Sequence, residues 1–430
     1  MCAHREQTRA ERLEHRARAA RRLRLSPQPQ QTRGLCGGIE MLSIVKICCG
    51  FVLIHLSPTS EAPDMSLASP ASSPALTIVH VVFSSRIAGG ERHCIDLAQA
   101  QAALGHRVHV IGSRGSAVAG ELGPDIQFHG LALPLLRACR VRRLARRLGA
   151  DICHGHLGPA CKAVAEVRGA ARVATLHVGY KAHHHARQDG LICVNRTQAQ
   201  QLPAFDGAVS VIHNWAPERA PAPLSLCLRR ELGLRPDQPL VGSVGRLHPS
   251  KGMDLLIQAF RDHAPADAAL AILGEGKDMA ALQRLRGSDA RIHLLGYRAD
   301  VEQALQAMDL FVSPSREEAF PLAILEAMRV GLPILSTATQ GPTEMLAGQP
   351  ATLVPVNDAS ALGRALRERL DALRPQPGQS VDRQRVDYCL QAYQRPQAVA
   401  RVIAFYRDVL SRRAKAPHLQ PRLQSGAAHV

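Results

Sequence analysis

The sequence predicts an α/β protein with two doubly wound parallel sheets set around a cleft. Three observations carry that prediction. From Ala75 onward, apolar strand-like runs alternate with helical patterns, as expected of a parallel sheet covered by helices. The runs are almost wholly apolar, as at residues 76–83 (LTIVHVVF), which suits strands buried on both faces. A Pro-rich stretch at residues 217–223 interrupts the alternation and reads as a linker between two such series.

The first series opens with the strand at 76–83, a turn at 84–90 and a helix at 91–104 that Gly105 ends. Further strands are expected at 108–111, 151–154, 172–177, 191–194 and 209–212. The second series starts with a strand at 240–244 and a helix around 253–260. Strands follow at 269–273, 292–295 and 310–313, then a helix at 321–330 and a strand at 333–336. Residues 396–413 pattern as a last amphipathic helix. The domain reading is therefore 1–74 a basic extension, 75–216 a first doubly wound domain, 217–395 a second, 396–414 a closing helix and 415–430 a polar tail expected to be disordered.

Composition narrows the function classes. The chain has 430 residues, 46% of them hydrophobic, which excludes a disordered, collagen-like or disulfide-scaffold protein. Lys and Arg number 53 against 36 Asp and Glu, and a net charge of +17 favours nucleotides, nucleic acid or anionic lipid as partners. Aromatic residues are only 3%, so base-stacking side chains are scarce, and no nucleic-acid motif is present; nucleic acid is not an expected partner. The 11 cysteines are odd in number and scattered, with no CxxC pair, which reads as reduced thiols in a cytoplasm. Residues 1–64 are Arg-rich and then carry an apolar run, 41–56, broken by Lys46. Its uninterrupted part is about half the ~20 residues a spanning helix needs. A basic start before an apolar run is the layout of a signal peptide or a membrane anchor; the short run and the lack of a small-x-small cleavage site favour a floppy or non-native extension, with Met65 as an alternative start.

Three constellations carry chemistry. In SPSREEAFPLAILEAMRVG (313–331), Glu318 lies in a loop after a strand and Glu326 sits about a turn and a half inside the following helix. The free N–H groups of that helix start form an anion site, and flanking carboxylates suit sugar hydroxyls; a helix with an acid favoured by the macrodipole is the plain alternative. In VGSVGRLHPSKGMDLL (241–256), Gly245, Arg246, Lys251 and Gly252 stand between a strand and a helix, where a phosphate would meet a planar fork and a point charge. Two solvated cations would look the same in sequence. Gly274-Glu275-Gly276 after the next strand, and Gly89-Gly90-Glu91 after the first, allow backbone to approach a bound group. The latter is not GxGxxG, which disfavours a nicotinamide site.

Taken jointly, GG-E, GR…KG, GEG and E-x7-E resemble the retaining glycosyltransferases of family four, which have the GT-B fold of two Rossmann-like domains facing across a cleft. The resemblance covers roughly residues 76–410, and the DICHGH (151–156) and Thr175-Leu176-His177 stretches are similar to bacterial surface-glycan members, notably those of lipopolysaccharide core. It implies that Arg246 and Lys251 hold the donor diphosphate, Glu326 the ribose and Glu318 the donor sugar. His177 would line the sugar pocket. Gly89, Gly90, Gly245, Gly274, Gly276, Phe320 and Leu322 would border the nucleotide sugar. Two positions depart from the family pattern: Asn214-Trp215, where Asn-Gly is usual, and Ala319, where Gly is common.

The expected activity is a retaining hexosyltransferase taking a nucleotide sugar, UDP favoured with GDP and ADP as alternatives, to a glycan or lipid-linked glycan acceptor. The rivals are a sugar-nucleotide epimerase of the same fold and a non-enzymatic nucleotide-binding scaffold. No further cofactor is expected. With no DxD-type pair at a strand end and two cations already placed, metal independence is expected and no metal ligands are assigned. His183-His184-His185 are consecutive and cannot easily converge on one ion. The basic helix at 137–147 (RACRVRRLARR) has Val141, Leu144 and Leu148 on one face; it fits an anionic membrane surface or packing on its own sheet equally well. The expected place is the cytoplasm, peripheral on the inner membrane.

Overall fold

The apolar runs become parallel strands in two sheets. The computed structural model describes residues 74–133, 135–216, 227–374 and 383–415. The expected N-terminal extension, the Pro-rich linker and the C-terminal tail lie outside the described residues. The first sheet contains β1 (Thr77–Val82), β2 (Arg107–Ser113), β3 (Gln127–Leu131), β4 (Ile152–His156), β5 (Ala171–Leu176), β6 (Gly190–Cys193) and β7 (Ala208–Val211), in the order β3-β2-β1-β4-β5-β6-β7. The second contains β8 (Leu240–Val244), β9 (Ala269–Leu273), β10 (Ile292–Leu294), β11 (Leu310–Ser313), β12 (Ile334–Thr337) and β13 (Thr352–Val354), in the order β10-β9-β8-β11-β12-β13. These are two Rossmann-like α/β units, each reversing direction of strand order beside its first strand, between β1 and β4 and between β8 and β11.

The apolar character of the central strands follows from cover on both faces. β1 is buried along its whole length, and its Val79 and Val81 pack with Val141 and Ala145 while Ile78 packs on the opposite side with Ile152 and Tyr406. In the second sheet, Phe260, Leu256 and Leu270 share a core with Leu362, Leu366 and Leu370 of the helix Ala359–Ala372.

Several elements escaped the sequence reading, among them β3, β13 and the helix Ala359–Ala372. β3 (QFHGL) and β13 (TLV) are edge strands, the first too polar and the second too short to stand out as apolar runs. The helix Ala359–Ala372 follows an Asp358 whose side chain accepts from Ala361 N–H at 2.7 Å, a normal start signal. The basic helix Arg137–Arg147 turns Val141 and Ala145 into the first core, with Leu144 and Leu148 partly buried beside them. Of its two readings, packing on its own sheet is the one realised for its apolar face.

The last helix, Arg395–Lys415, belongs to the first sheet although it follows the second in sequence. Val399, Val402, Phe405, Tyr406 and Val409 pack against Ile152, Val173, Ile192 and Trp215. Each such side chain contributes ~1.5–3 kcal/mol by leaving water. Asp189 ties the helix down: it accepts from Arg172 Nε at 3.0 Å and from Arg413 at 2.8 Å. Burial alone would raise the Asp189 carboxyl, but the Arg172 hydrogen bonds outweigh it and hold the group below the usual carboxylate range.

Candidate active site

Both sheets present the sequence-derived site residues at the carboxyl ends of their central strands, where open α/β sheets take ligands. Arg246 and Lys251 follow β8, Glu318 follows β11, Gly89 and Gly90 follow β1, and His177 follows β5. The two halves meet there. A Cβ on Gly89 would lie 3.9 Å from Leu322 Cδ1, so the start of the first helix faces the start of the helix Leu322–Arg329. Arg86 and Glu275 make an exposed ion pair at 3.1 Å across the same gap.

Local chemistry explains how the charged loops are held. Pro249–Lys251 forms one 3-10 turn, and Gly252 takes a left-handed φ of 63°. A Cβ at Gly252 would sit 2.1 Å from the Pro314 carbonyl oxygen, so only glycine lets this loop reach the loop after β11. Arg316 then staples the two: it gives paired hydrogen bonds at 2.7 Å to both Asp254 carboxylate oxygens and another at 2.7 Å to the Pro249 carbonyl. Hydrogen bonding to Arg316 holds the Asp254 carboxyl below its usual range. The result is a direct ion pair between Lys251 and Glu318, both side chains mostly buried.

Arg246, on the same loop after β8, is exposed, and no hydrogen bond or ion pair engages it among the described residues. Gly274 has φ 142°, and a Cβ there would fall 1.8 Å from the Gly245 carbonyl oxygen, which packs the GEG turn against the strand end carrying Arg246. A Cβ on Gly276 would likewise meet the Leu247 carbonyl oxygen at 1.9 Å. Glu326 is half-buried in the second turn of its helix. Pro321 caps that helix in extended conformation instead of entering its first turn, as the sequence had suggested. Phe320 is 4% exposed and stacks on His213, with ring centroids 5.0 Å apart, which makes it an anchor of the loop behind Glu318. Glu91 of the GG-E motif accepts from the Ala88 N–H at 3.0 Å and caps its own helix.

The sequence reading missed the side chains that carry this loop across the gap. Asn195 donates to the Ala319 carbonyl at 2.7 Å, and Asn214 donates to the Phe320 carbonyl at 2.8 Å. Glu344 accepts from the Arg196 N–H and from His213 Nε2, each at 2.7 Å. Asn195 had a legible signal as a helix cap, since its Oδ1 accepts from Gln198 N–H at 2.7 Å. Its second bond depends on the other half of the chain. Trp215, the unusual neighbour of Asn214, is buried with its ring 4.3 Å from that of His93.

On the first sheet, His177 lines a cavity of about 220 Å³ with Leu157, Thr175, Lys181, His184 and His185. Behind it stand His80, His93, His154 and His156, all at most 5% exposed. Burial pushes His80 and His177 down to about 4, with the Gln101 hydrogen bond acting the other way on His80. Burial first, and neighbouring imidazoles second, hold His93, His154 and His156 well below the ordinary value. Nitrogens of His93, His156 and His177 lie within 4.8 Å of one another, near enough for a metal ion. Hydrogen bonds between the rings already occupy His156 and His177, at 3.1 Å.

Two Rossmann-like sheets meeting at a charged strand-end site define the GT-B class of glycosyltransferases. Residues 87–217 match the family described as Glycosyltransferase Family 4, and residues 238–372 match Glycosyl transferases group 1. The chain is 26% identical over 310 residues to the lipopolysaccharide core biosynthesis mannosyltransferase LpsB of Rhizobium meliloti, covering 67% of this chain and 86% of that protein. It is 30% identical over 287 residues to a GDP-mannose-dependent alpha-(1-6)-phosphatidylinositol monomannoside mannosyltransferase of Mycolicibacterium smegmatis, covering 60% of this chain and 71% of the relative. The crystal structure of Anabaena HepE in complex with UDP-glucose superposes with a TM-score of 0.59 at 20% identity, over 80% of this chain and 99% of that one. The chain belongs to glycosyltransferase family 4.

Proposed function

We propose that this glycosyltransferase moves a hexose from a nucleoside diphosphate sugar to a bacterial surface glycan, in lipopolysaccharide or related biosynthesis, with retention of anomeric configuration and without a metal ion. The observation that carries the reading is the Lys251–Glu318 ion pair, which joins the loop after β8, where Arg246 also stands, to the loop after β11, with Gly89 close to Leu322 from the other half. The names of the R. meliloti and M. smegmatis relatives support a surface glycan as product.

As the bond between the sugar C1 and the diphosphate oxygen breaks, positive charge grows on the sugar and negative charge on the leaving group. Arg246 and Lys251 meet that negative charge, and fixed cations aimed at it favour the transition state over the ground state. Lys251 exchanges its Glu318 partner for phosphate oxygens, which frees Glu318 to accept from hydroxyls of the transferred sugar. Glu326 accepts from the ribose. An acceptor hydroxyl attacks C1 on the face the diphosphate leaves, forming the new C1–O bond, and its proton passes to the departing phosphate oxygen. The cavity that His177 lines is read as part of the pocket for the donor sugar.

The donor base is read as uridine, with guanosine the first alternative because the M. smegmatis relative is named for GDP-mannose. The reaction belongs on the cytoplasmic side of the inner membrane. No helix among the described residues is long and apolar enough to cross a membrane. Leu133, Leu135 and Leu136, 57–72% exposed, precede the outward arginines of the helix Arg137–Arg147, and this patch suits an anionic lipid surface.

The test is incubation with UDP-, GDP- and ADP-sugars, with chelator present and with or without lipopolysaccharide acceptor. Acceptor-dependent sugar transfer with the donor's anomeric configuration kept supports the reading. Donor turnover to an epimer without acceptor supports an epimerase, and binding without turnover supports a scaffold; either result overturns the proposal.

A further inference from the structure

Behind the cleft, a chain of hydrogen bonds runs through buried polar side chains to His177. Gln101 sits on the first helix, 0% exposed, and its Oε1 accepts from His80 Nε2 at 2.7 Å. His80 Nδ1 is 3.0 Å from His156 Nε2, and His156 Nδ1 is 3.1 Å from His177 Nε2. The amide orientation of Gln101 is tied to the last helix, since its Nε2 donates to the Tyr406 hydroxyl at 3.4 Å. Tyr406 is in turn 2.6 Å from His154 Nδ1, whose Nε2 is 2.8 Å from Thr175 Oγ1.

The directions follow from bookkeeping of protons. A carbonyl oxygen only accepts, so His80 Nε2 carries its proton, and a neutral imidazole has one proton only. His80 Nδ1 therefore offers a lone pair, and His156 must donate to it through Nε2. His156 Nδ1 is then the lone-pair nitrogen, and His177 must donate to it through Nε2. The remaining nitrogen, His177 Nδ1, is left unprotonated on a ring that lines the cavity.

We propose that Gln101, acting through His80 and His156, is a positioning residue that holds His177 as the Nε2–H tautomer, with the Nδ1 lone pair offered to a substrate hydroxyl. The ring is thus a hydrogen-bond acceptor toward the sugar or acceptor and selects a hydroxyl donor at that position. The same logic, a partner behind a histidine fixing which nitrogen is bare, governs the orientation of catalytic imidazoles elsewhere. The inference rests on the reading of His177 as a substrate contact.

The experiment uses full-length protein with ¹⁵N-labelled histidine, in which ring-nitrogen shifts report the tautomer, together with transfer kinetics. The wild type is expected to show His177 protonated at Nε2 and bare at Nδ1. Gln101→Leu removes the acceptor and is expected to populate the other tautomer and lower kcat/KM on the order of tenfold, the scale of one neutral hydrogen bond. Gln101→Glu keeps the accepting oxygen and is expected to keep the tautomer. Should Gln101→Leu fail to fold, Tyr406→Phe frees the amide to flip and carries the same readout. A wild-type His177 protonated at Nδ1, or a tautomer indifferent to position 101, overturns the proposal. A tautomer shift with turnover intact supports the relay and instead removes His177 from the reacting sugar, which is a failure of the functional reading.

Discussion

The side-chain amide of Asn195 donates to the Ala319 carbonyl at 2.7 Å, so a residue just past β6 in the first sheet holds the loop that presents Glu318 from the second. Asn214 repeats the device one residue on, at the Phe320 carbonyl. The loop that presents Glu318 is therefore held from the first half by two side-chain amides on backbone carbonyls, beside the charged contacts that Glu344 and Glu275 make across the same gap.

Asn195→Ala is expected to leave the fold intact and lower kcat/KM several-fold, the scale of one neutral hydrogen bond at about 1 kcal/mol. Asn195→Ala with Asn214→Ala should lose more than either alone. Turnover with saturating donor, compared with circular dichroism, checks this; wild-type turnover in the double variant would show that the loop needs neither anchor.

Arg246→Ala and Lys251→Ala are each expected to cut transfer by about 10²–10³, with Arg246→Ala melting close to wild type. Loss of Lys251 leaves Glu318 half-buried without its partner, so the Lys251 variant should also be the less stable of the two. Near-normal turnover in either would refute a diphosphate clamp.

Glu326→Ala is expected to raise the donor KM with a smaller change in kcat, because a ribose contact is made equally in ground and transition states. The comparison is a full kinetic profile against donor concentration. An unchanged donor KM would remove Glu326 from the nucleotide.

The buried imidazoles make stability depend on pH in a defined direction. His80 and His177 are held at about 4 by burial, whereas an unfolded imidazole titrates near ~6.5. Below ~6.5 the unfolded chain binds the proton more readily, so stability is full above that pH and falls as pH drops toward about 4. Melting temperatures between pH 7.5 and 4.5 should show the decline, and His80→Asn should make it shallower. A slope that His80→Asn leaves untouched would mean other groups dominate.

Leu135→Asp is expected to weaken binding to vesicles rich in anionic lipid and to leave turnover on a soluble acceptor unchanged. Leu135 is 72% exposed beside the arginine face, so the change should not disturb the core. Equal vesicle binding by the variant would detach this patch from the membrane reading.

Local pattern was enough to find the two parallel sheets, because a strand covered on both faces must be apolar throughout, as in TIVHVV and ALAIL. It also put Arg246, Lys251 and Glu318 in turns at strand ends, where the fold has them, because such turns leave glycines and charges in recognisable order; His177 came from the family resemblance alone. The edge strands QFHGL and TLV are short, and β3 is polar as well, so they carried no such mark. Only the tertiary structure decided that Lys251 meets Glu318, since that contact needs Gly252 to pass beneath Pro314 and Arg316 to join two loops more than sixty residues apart. The same holds for Asn195 on Ala319 and for Gln101 behind His177. Hydrogen bonds between distant segments depend on where the folded chain places two groups, and one-dimensional spacing contains no trace of that.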